Sequence, residues 1–161
     1  MGVIQLTEIN PNIYMSSSQT IRELHRTKYT RDQYGNTLTM KGVYLVCVAS
    51  NTLCSEFKDI ASGYVIRDLP NQEFALVANK ATDEVCKHLR RRRKVIVFCN
   101  MGRNRSCLVV MLYILRISNM TYSQAFSTLV RNNSRRLERS YILSNPEYSK
   151  YLQRKFEAAR K

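Results

Sequence analysis

The chain has 161 residues and a formal net charge of +14, from 26 Lys and Arg against 12 Asp and Glu. That length suits a single domain, 1–161, with a full hydrophobic core, and ordinary apolar content points to a soluble globular protein rather than a disordered one. Cys47, Cys54, Cys86, Cys99 and Cys107 form no C-x-x-C pair, and only His25 and His88 accompany them. No zinc pattern emerges, no metal or cofactor is expected, and the thiols suit a reducing compartment: the cytoplasm, with the nucleus as the alternative.

In chain order, Ile4 to Ile9 and Asn12 to Met15 read as strands, and Ser16 to Ser18 open a short helix over Gln19 to His25. Arg26 to Lys41 is polar and basic with a turn at Tyr34, Gly35 and Asn36, so a long surface loop is expected there. Val43 to Val48 reads as a central strand. Tyr64 to Ile66 reads as a short strand that carries Asp68 onto a loop before Pro70. A helix is predicted from Asn71 to about Leu89, with Phe74, Val77, Ala81, Val85 and Leu89 on one face. The basic run from His88 to Lys94 then reads as a solvated turn, with a nuclear-import or nucleic-acid patch as its alternative.

Val95 to Phe98 is an apolar strand. Leu108 to Leu115 is a buried helix too short to span a bilayer, so no membrane span is expected. Thr121 and Gln124 have capping-box spacing at the start of a helix whose Phe126, Leu129 and Val130 should face inward. Asn132 to Leu143, with Arg131, Arg135, Arg136 and Arg139, should project a basic rim. Asn145 and Pro146 fit the N-cap and first position of a last helix that buries Tyr148, Leu152, Phe156 and Ala159. Together these elements predict an α/β fold: a mixed, mainly parallel sheet with helices on both faces.

The chemistry gathers between the Val95–Phe98 strand and the apolar helix. Cys99 enters a short polar loop of Asn100, Met101, Gly102, Arg103 and Asn104, closed by Arg105 and Ser106. If the loop curls into the helix, its backbone N–H groups form an anion nest, aided by the helix N-terminus. Gly102 permits the curl, and the Arg105 fork can hold two phosphoryl oxygens. The same positive environment favours a nucleophilic thiolate at Cys99. A leaving oxygen needs a proton, and Asp68, expected at the same sheet edge, is the candidate general acid.

Cys99, five intervening residues, Arg105 and Ser106, with Asp68 upstream, resemble the cysteine-dependent protein tyrosine phosphatases. The likeness is closest to the small dual-specificity phosphatases, including the poxviral H1-like ones. It extends over Asn10 to Ser16, Val43 to Val48, Met120 to Phe126 and Asn145 to Tyr148. The resemblance implies Cys99 as nucleophile, Arg105 as phosphate clamp, and Asp68 as acid and then base. It also implies a Ser106 hydroxyl that helps the sulfur leave, with no metal. Phe98 stands where that family usually has His, so a less favoured thiolate and a slower enzyme with a more alkaline optimum are expected. Cys54 or Cys107 is a candidate for a reversible disulfide with Cys99.

The implied substrates are proteins phosphorylated on tyrosine and serine/threonine. Two other readings stay open. RNA 5′-triphosphate or phosphoinositide chemistry is compatible with Arg103, Asn104 and the basic surface, which also suits acidic or nucleic-acid contacts. A phosphoprotein-binding pseudophosphatase is the third, with Phe98 as its support.

Overall fold

A computed structural model describes residues 2–67, 73–133 and 142–157. The sheet is assembled by runs of apolar residues too short for helices and too continuous for surface strands. These are β1 (Ile4–Gln5), β2 (Ile13–Ser17), β5 (Val43–Ala49), β6 (Ser62–Val65) and β7 (Lys94–Cys99). Their order is β1-β2-β7-β5-β6, with β1 antiparallel to β2 and every other pairing parallel. This is the mixed, mainly parallel sheet that the sequence predicts. The parallel strands all end at one edge, where Ser17 pairs with Cys99 and Ala49 with Val65. Ligand sites in such sheets form at this carboxyl edge.

Strand alternation divides the core in two. Val95 and Val97 join Val46, Val48, Ile13 and Met15 in one cluster. It is covered by α3 (Phe74–Arg90), α4 (Arg105–Ile117), α5 (Tyr122–Asn132) and α6 (Pro146–Glu157). Ile96 and Phe98 join Leu45, Cys47 and Tyr14 on the other face, under α1 (Ser18–Thr27) and α2 (Asn51–Glu56). Every residue of α4 from Ser106 to Leu115 is buried. A helix apolar all round has no solvent face to present, so it runs through the middle of the larger core.

Caps fix the helix ends where the sequence places them. The Thr121 hydroxyl accepts from the Gln124 N–H, and the Gln124 side chain accepts from the Thr121 N–H, completing the capping box. Asn145 Oδ1 accepts from the Glu147 N–H at 3.0 Å, one residue after Pro146 opens α6. Within the described part of α6, Tyr148 and Leu152 are fully buried and Phe156 packs at the core margin. Ala159 lies outside the described residues.

Several expectations need correction. The first strand stops at Gln5 because the chain must reverse to pair with β2: the Ile9 and Asn10 N–H groups both donate to the Leu6 carbonyl, and Asn10 Oδ1 receives the Asn12 N–H. The expected loop over Arg26 to Lys41 contains a hairpin, β3 (Tyr29–Arg31) with β4 (Thr37–Thr39). The Asp32 carboxylate ties its turn by accepting from the Tyr34 and Asn36 N–H groups, each at 2.9 Å. Leu38 is the buried apolar residue of this ribbon, so no period-two pattern marks it.

The described part of α3 begins at Phe74, and Asn71, its expected start, lies outside the described residues; Val77 packs against the core while only partly buried. On α5 the inward face is Ala125, Thr128, Leu129 and Asn132, with Phe126 and Val130 flanking it. His88 is not part of a solvated run: its ring stacks on Tyr44 and its Nδ1 lies 2.9 Å from Arg93. Arg90 to Lys94 are exposed, at the edge of the sheet opposite Cys99. Of the expected basic rim, Arg131 pairs with Glu8 at 2.9 Å, whereas Arg135, Arg136 and Arg139 lie outside the described residues. Among the described residues, no helix is long and apolar enough to cross a membrane.

Candidate active site

β7 delivers Cys99 to the carboxyl edge with the thiol nearly enclosed, 2% exposed. The Gly102 N–H donates to Cys99 Sγ at 3.2 Å, and the Ser106 hydroxyl lies 3.3 Å from the same sulfur. Both contacts can stabilise negative charge on sulfur. Gly102 has φ +69°, and a β-carbon there would come within 2.9 Å of the Ser16 carbonyl oxygen. Glycine is therefore required twice over, by backbone conformation and by the closeness of β2.

The loop feeds directly into α4, whose N-cap residue Asn104 makes no side-chain capping bond. The first N–H groups of a helix carry partial positive charge, and an uncapped N-terminus suits an anion. Arg105, the first residue of α4, donates from Nη1 to the Ile66 carbonyl at 3.1 Å. This bond swings the guanidinium toward the strand that leads to Asp68. Its Nε is buried with no protein partner among the described residues, leaving a donor for a bound oxyanion.

Cys99, Asn100, Met101, Arg103, Asn104 and Arg105 line one cleft of about 270 Å³, together with Ser144. That volume is small for a cofactor site and suits a compact headgroup. Gly102 forms the loop's buried underside and Ser106 stands behind the sulfur. The structure thus brings all the expected loop residues together. Asp68 lies outside the described residues. Its approach is described: β6 ends at Val65 on the same edge, Ile66 holds Arg105, and the Arg67 carbonyl accepts from the Tyr148 hydroxyl at 3.4 Å.

The other cysteines have partners of their own. Cys54 Sγ sits 3.7 Å from Cys47 Sγ, and Cys107 Sγ sits 3.3 Å from Met15 Sδ. The bond between the paired thiols favours the Cys54 thiolate, lowering its pKa to about 7, while the same bond and burial hold Cys47 protonated. Phe98 points to the opposite face from Cys99 and meets Phe57 edge-on at 5.0 Å. Packing, not a hydrogen bond, fixes the residue before the nucleophile.

Two participants are missing from the sequence reading: Ser144, and the Ile66 carbonyl. Neither carries a local signal, because each meets the loop across about forty residues of chain.

A family model described as the dual specificity phosphatase catalytic domain matches residues 37–158. No curated protein sequence matches the chain. Among solved structures, human DUSP28 is 18% identical with a TM-score of 0.69, covering 100% of this chain and 97% of that one. The human tyrosine phosphatase-like serine/threonine/tyrosine-interacting protein is 17% identical with a TM-score of 0.64, covering 98% and 97%. OH1 from the Orf virus, a tyrosine phosphatase with triple substrate specificity, is 17% identical with a TM-score of 0.63, covering 97% and 87%. At these identities the likeness to each structure is one of fold.

Proposed function

The chain belongs to the dual specificity phosphatase family as a cysteine-dependent phosphatase, and on that premise we propose that it hydrolyses phosphotyrosine and phosphoserine/threonine in proteins through a phosphocysteine. The observation that carries this reading is the convergence on one sulfur of the Gly102 N–H, the Ser106 hydroxyl and an uncapped helix N-terminus beside Arg105. A thiolate beside a phosphate cradle calls for attack at phosphorus.

In the first step the Cys99 sulfur bonds to phosphorus and the ester P–O bond breaks. Asp68 donates its proton to the departing alkoxide or phenolate. Arg105 and the loop N–H groups hold the phosphoryl oxygens as charge redistributes over them. In the second step Asp68 takes a proton from water, the water oxygen bonds to phosphorus and the P–S bond breaks. The Ser106 hydroxyl offers the departing thiolate a hydrogen bond. The phosphate-binding residues are Asn100 to Arg105, and the five free thiols support a reducing compartment, cytoplasmic or nuclear.

The same loop chemistry serves RNA 5′-triphosphates and phosphoinositides, so the substrate class is the point to test. Phosphate release would be compared on a phosphotyrosine peptide, a phosphothreonine peptide, a triphosphate-ended RNA and a phosphoinositide. Release from both peptides is expected, with Cys99→Ser losing turnover but keeping peptide binding. Asp68→Asn should flatten the alkaline side of the kcat/KM profile, because a general acid must be protonated to act. Release from RNA or lipid alone would move the substrate class. Peptide binding by the wild-type chain without any turnover would make it a phosphoprotein-binding pseudophosphatase.

A further inference from the structure

An anion nest exists only while the peptide units of its loop are turned with carbonyls out and N–H groups in. In a trans peptide the N–H of one residue points opposite to the carbonyl of the residue before it, and no described peptide bond is cis. The orientation of each loop N–H is therefore set by whatever holds the preceding carbonyl. The Asn100 carbonyl accepts from the Ser18 N–H at 3.2 Å and the Ser18 hydroxyl at 3.1 Å. The Gly102 carbonyl receives the Cys107 thiol at 3.8 Å, and the Asn104 carbonyl receives the Leu108 N–H at 2.8 Å within α4.

Besides Ser18, a second holder comes from outside the strand–loop–helix unit. The Leu143 N–H donates to the Arg103 carbonyl at 2.7 Å. Immediately after it, the Ser144 hydroxyl and the Asn145 N–H both donate to Asn104 Oδ1, at 3.2 and 3.1 Å. This occupies the Asn104 side chain, the N-cap group that in most helices would turn back to cap α4. Leu143 adopts φ +54°, a left-handed conformation that residues other than glycine seldom take. Strained backbone of this kind persists where its surroundings over-determine it. Asn145 is also the N-cap of α6, so the brace is anchored to that helix.

We propose that Leu143, Ser144 and Asn145 are positioning residues for phosphate binding: through the Arg103 carbonyl and the Asn104 side chain they turn the Asn104 N–H into the cleft and keep the α4 N-terminus uncapped. This rests on the phosphatase reading for its substrate, though not for its geometry. Asn104 is then a structural tie rather than a substrate-reading group, and Ser144, exposed at the cleft, is its partner.

The test uses the full chain and two readouts: tungstate binding by calorimetry, and the split of kcat and KM on p-nitrophenyl phosphate. Asn104→Leu, which keeps the size and removes the acceptor, should weaken tungstate binding by about tenfold and raise KM, as loss of a pair of hydrogen bonds implies. Ser144→Ala should weaken it by a few-fold, Ser144→Thr should restore it, and Ser144→Ala added to Asn104→Leu should change nothing more. A purely structural contact would lower the melting temperature and leave tungstate affinity untouched; that result, or additive effects of the two changes, overturns the proposal. A wild-type chain that binds tungstate without turnover refutes the phosphatase reading alone, and the affinity series still decides the brace. No tungstate binding by the wild-type chain refutes the brace.

Discussion

Replacing Gly102 by alanine places one methyl group where two separate penalties meet. The backbone there has φ +69°, and a left-handed L-residue is disfavoured by about 1–2 kcal/mol. The new β-carbon would sit 2.9 Å from the Ser16 carbonyl oxygen, 3.0 Å from its carbon and 3.3 Å from the Ser17 nitrogen. All three are backbone atoms of β2, held in register against β7, so no side chain can swing aside. Overpacking of this kind typically adds about 1–3 kcal/mol. The sum, about 2–5 kcal/mol, lowers the melting temperature of a domain this size by about 4–20 °C. Gly35→Ala is the internal control, because φ is +84° there but nothing lies within 4 Å of the added carbon. It should show the conformational penalty alone. Urea titration of both variants at unchanged m-value gives the difference, and kcat/KM on p-nitrophenyl phosphate should fall at least about tenfold for Gly102→Ala alone, since displaced catalytic groups act through lost alignment. Equal stabilities for the two variants, or wild-type turnover in Gly102→Ala, would refute the reasoning.

Thr121→Ala removes the hydroxyl half of the capping box and should destabilise the chain by about 1 kcal/mol in urea unfolding, with activity preserved. Tyr64 has its pKa raised to about 12, chiefly by burial and then by Glu84. The folded state thus holds a proton that the unfolded chain releases near pH 10, so this contribution is complete below pH 10 and is lost as pH rises toward about 12. Stability measured across that window should fall less steeply in Tyr64→Phe than in the wild type. Phe98→His puts an imidazole against Phe57 in an apolar core, and a loss of about 1–3 kcal/mol is expected from its unmatched polar atoms; an unchanged melting temperature would mean that packing at Phe98 does not hold the strand.

The chemistry was legible wherever it was local. Cys99, Gly102, Arg105 and Ser106 fall within one strand–loop–helix unit, so their types and spacing already carry the geometry. The capping box at Thr121 and the N-cap at Asn145 are equally local, and both form. What sequence could not supply is contact between distant segments made by backbone atoms. The Ile66 carbonyl meets Arg105, and the Leu143 N–H meets the Arg103 carbonyl, and backbone groups leave no trace in residue type. The β3–β4 ribbon escaped for a different reason: it packs through Leu38 and is tied by Asp32, which reads as loop chemistry.

Phe98 and Cys99 show how one strand serves two demands. Consecutive strand residues face opposite sides, so Phe98 is given to the core beneath α1 and α2 while Cys99 meets the loop. A phenyl ring on that far side can tether β7 but offers the sulfur no donor. The described donors on the sulfur are therefore the Gly102 N–H and the Ser106 hydroxyl, both from the loop–helix side. Each depends on where α4 begins, and that start depends on Asn104 leaving its capping role to meet Ser144 and Asn145. An N-terminus without a side-chain cap and a buried Arg105 Nε with no partner among the described residues are unfavourable in isolation. An oxyanion that satisfies both stabilises the folded chain by mass action, so phosphate affinity and fold stability are two measures of the same arrangement.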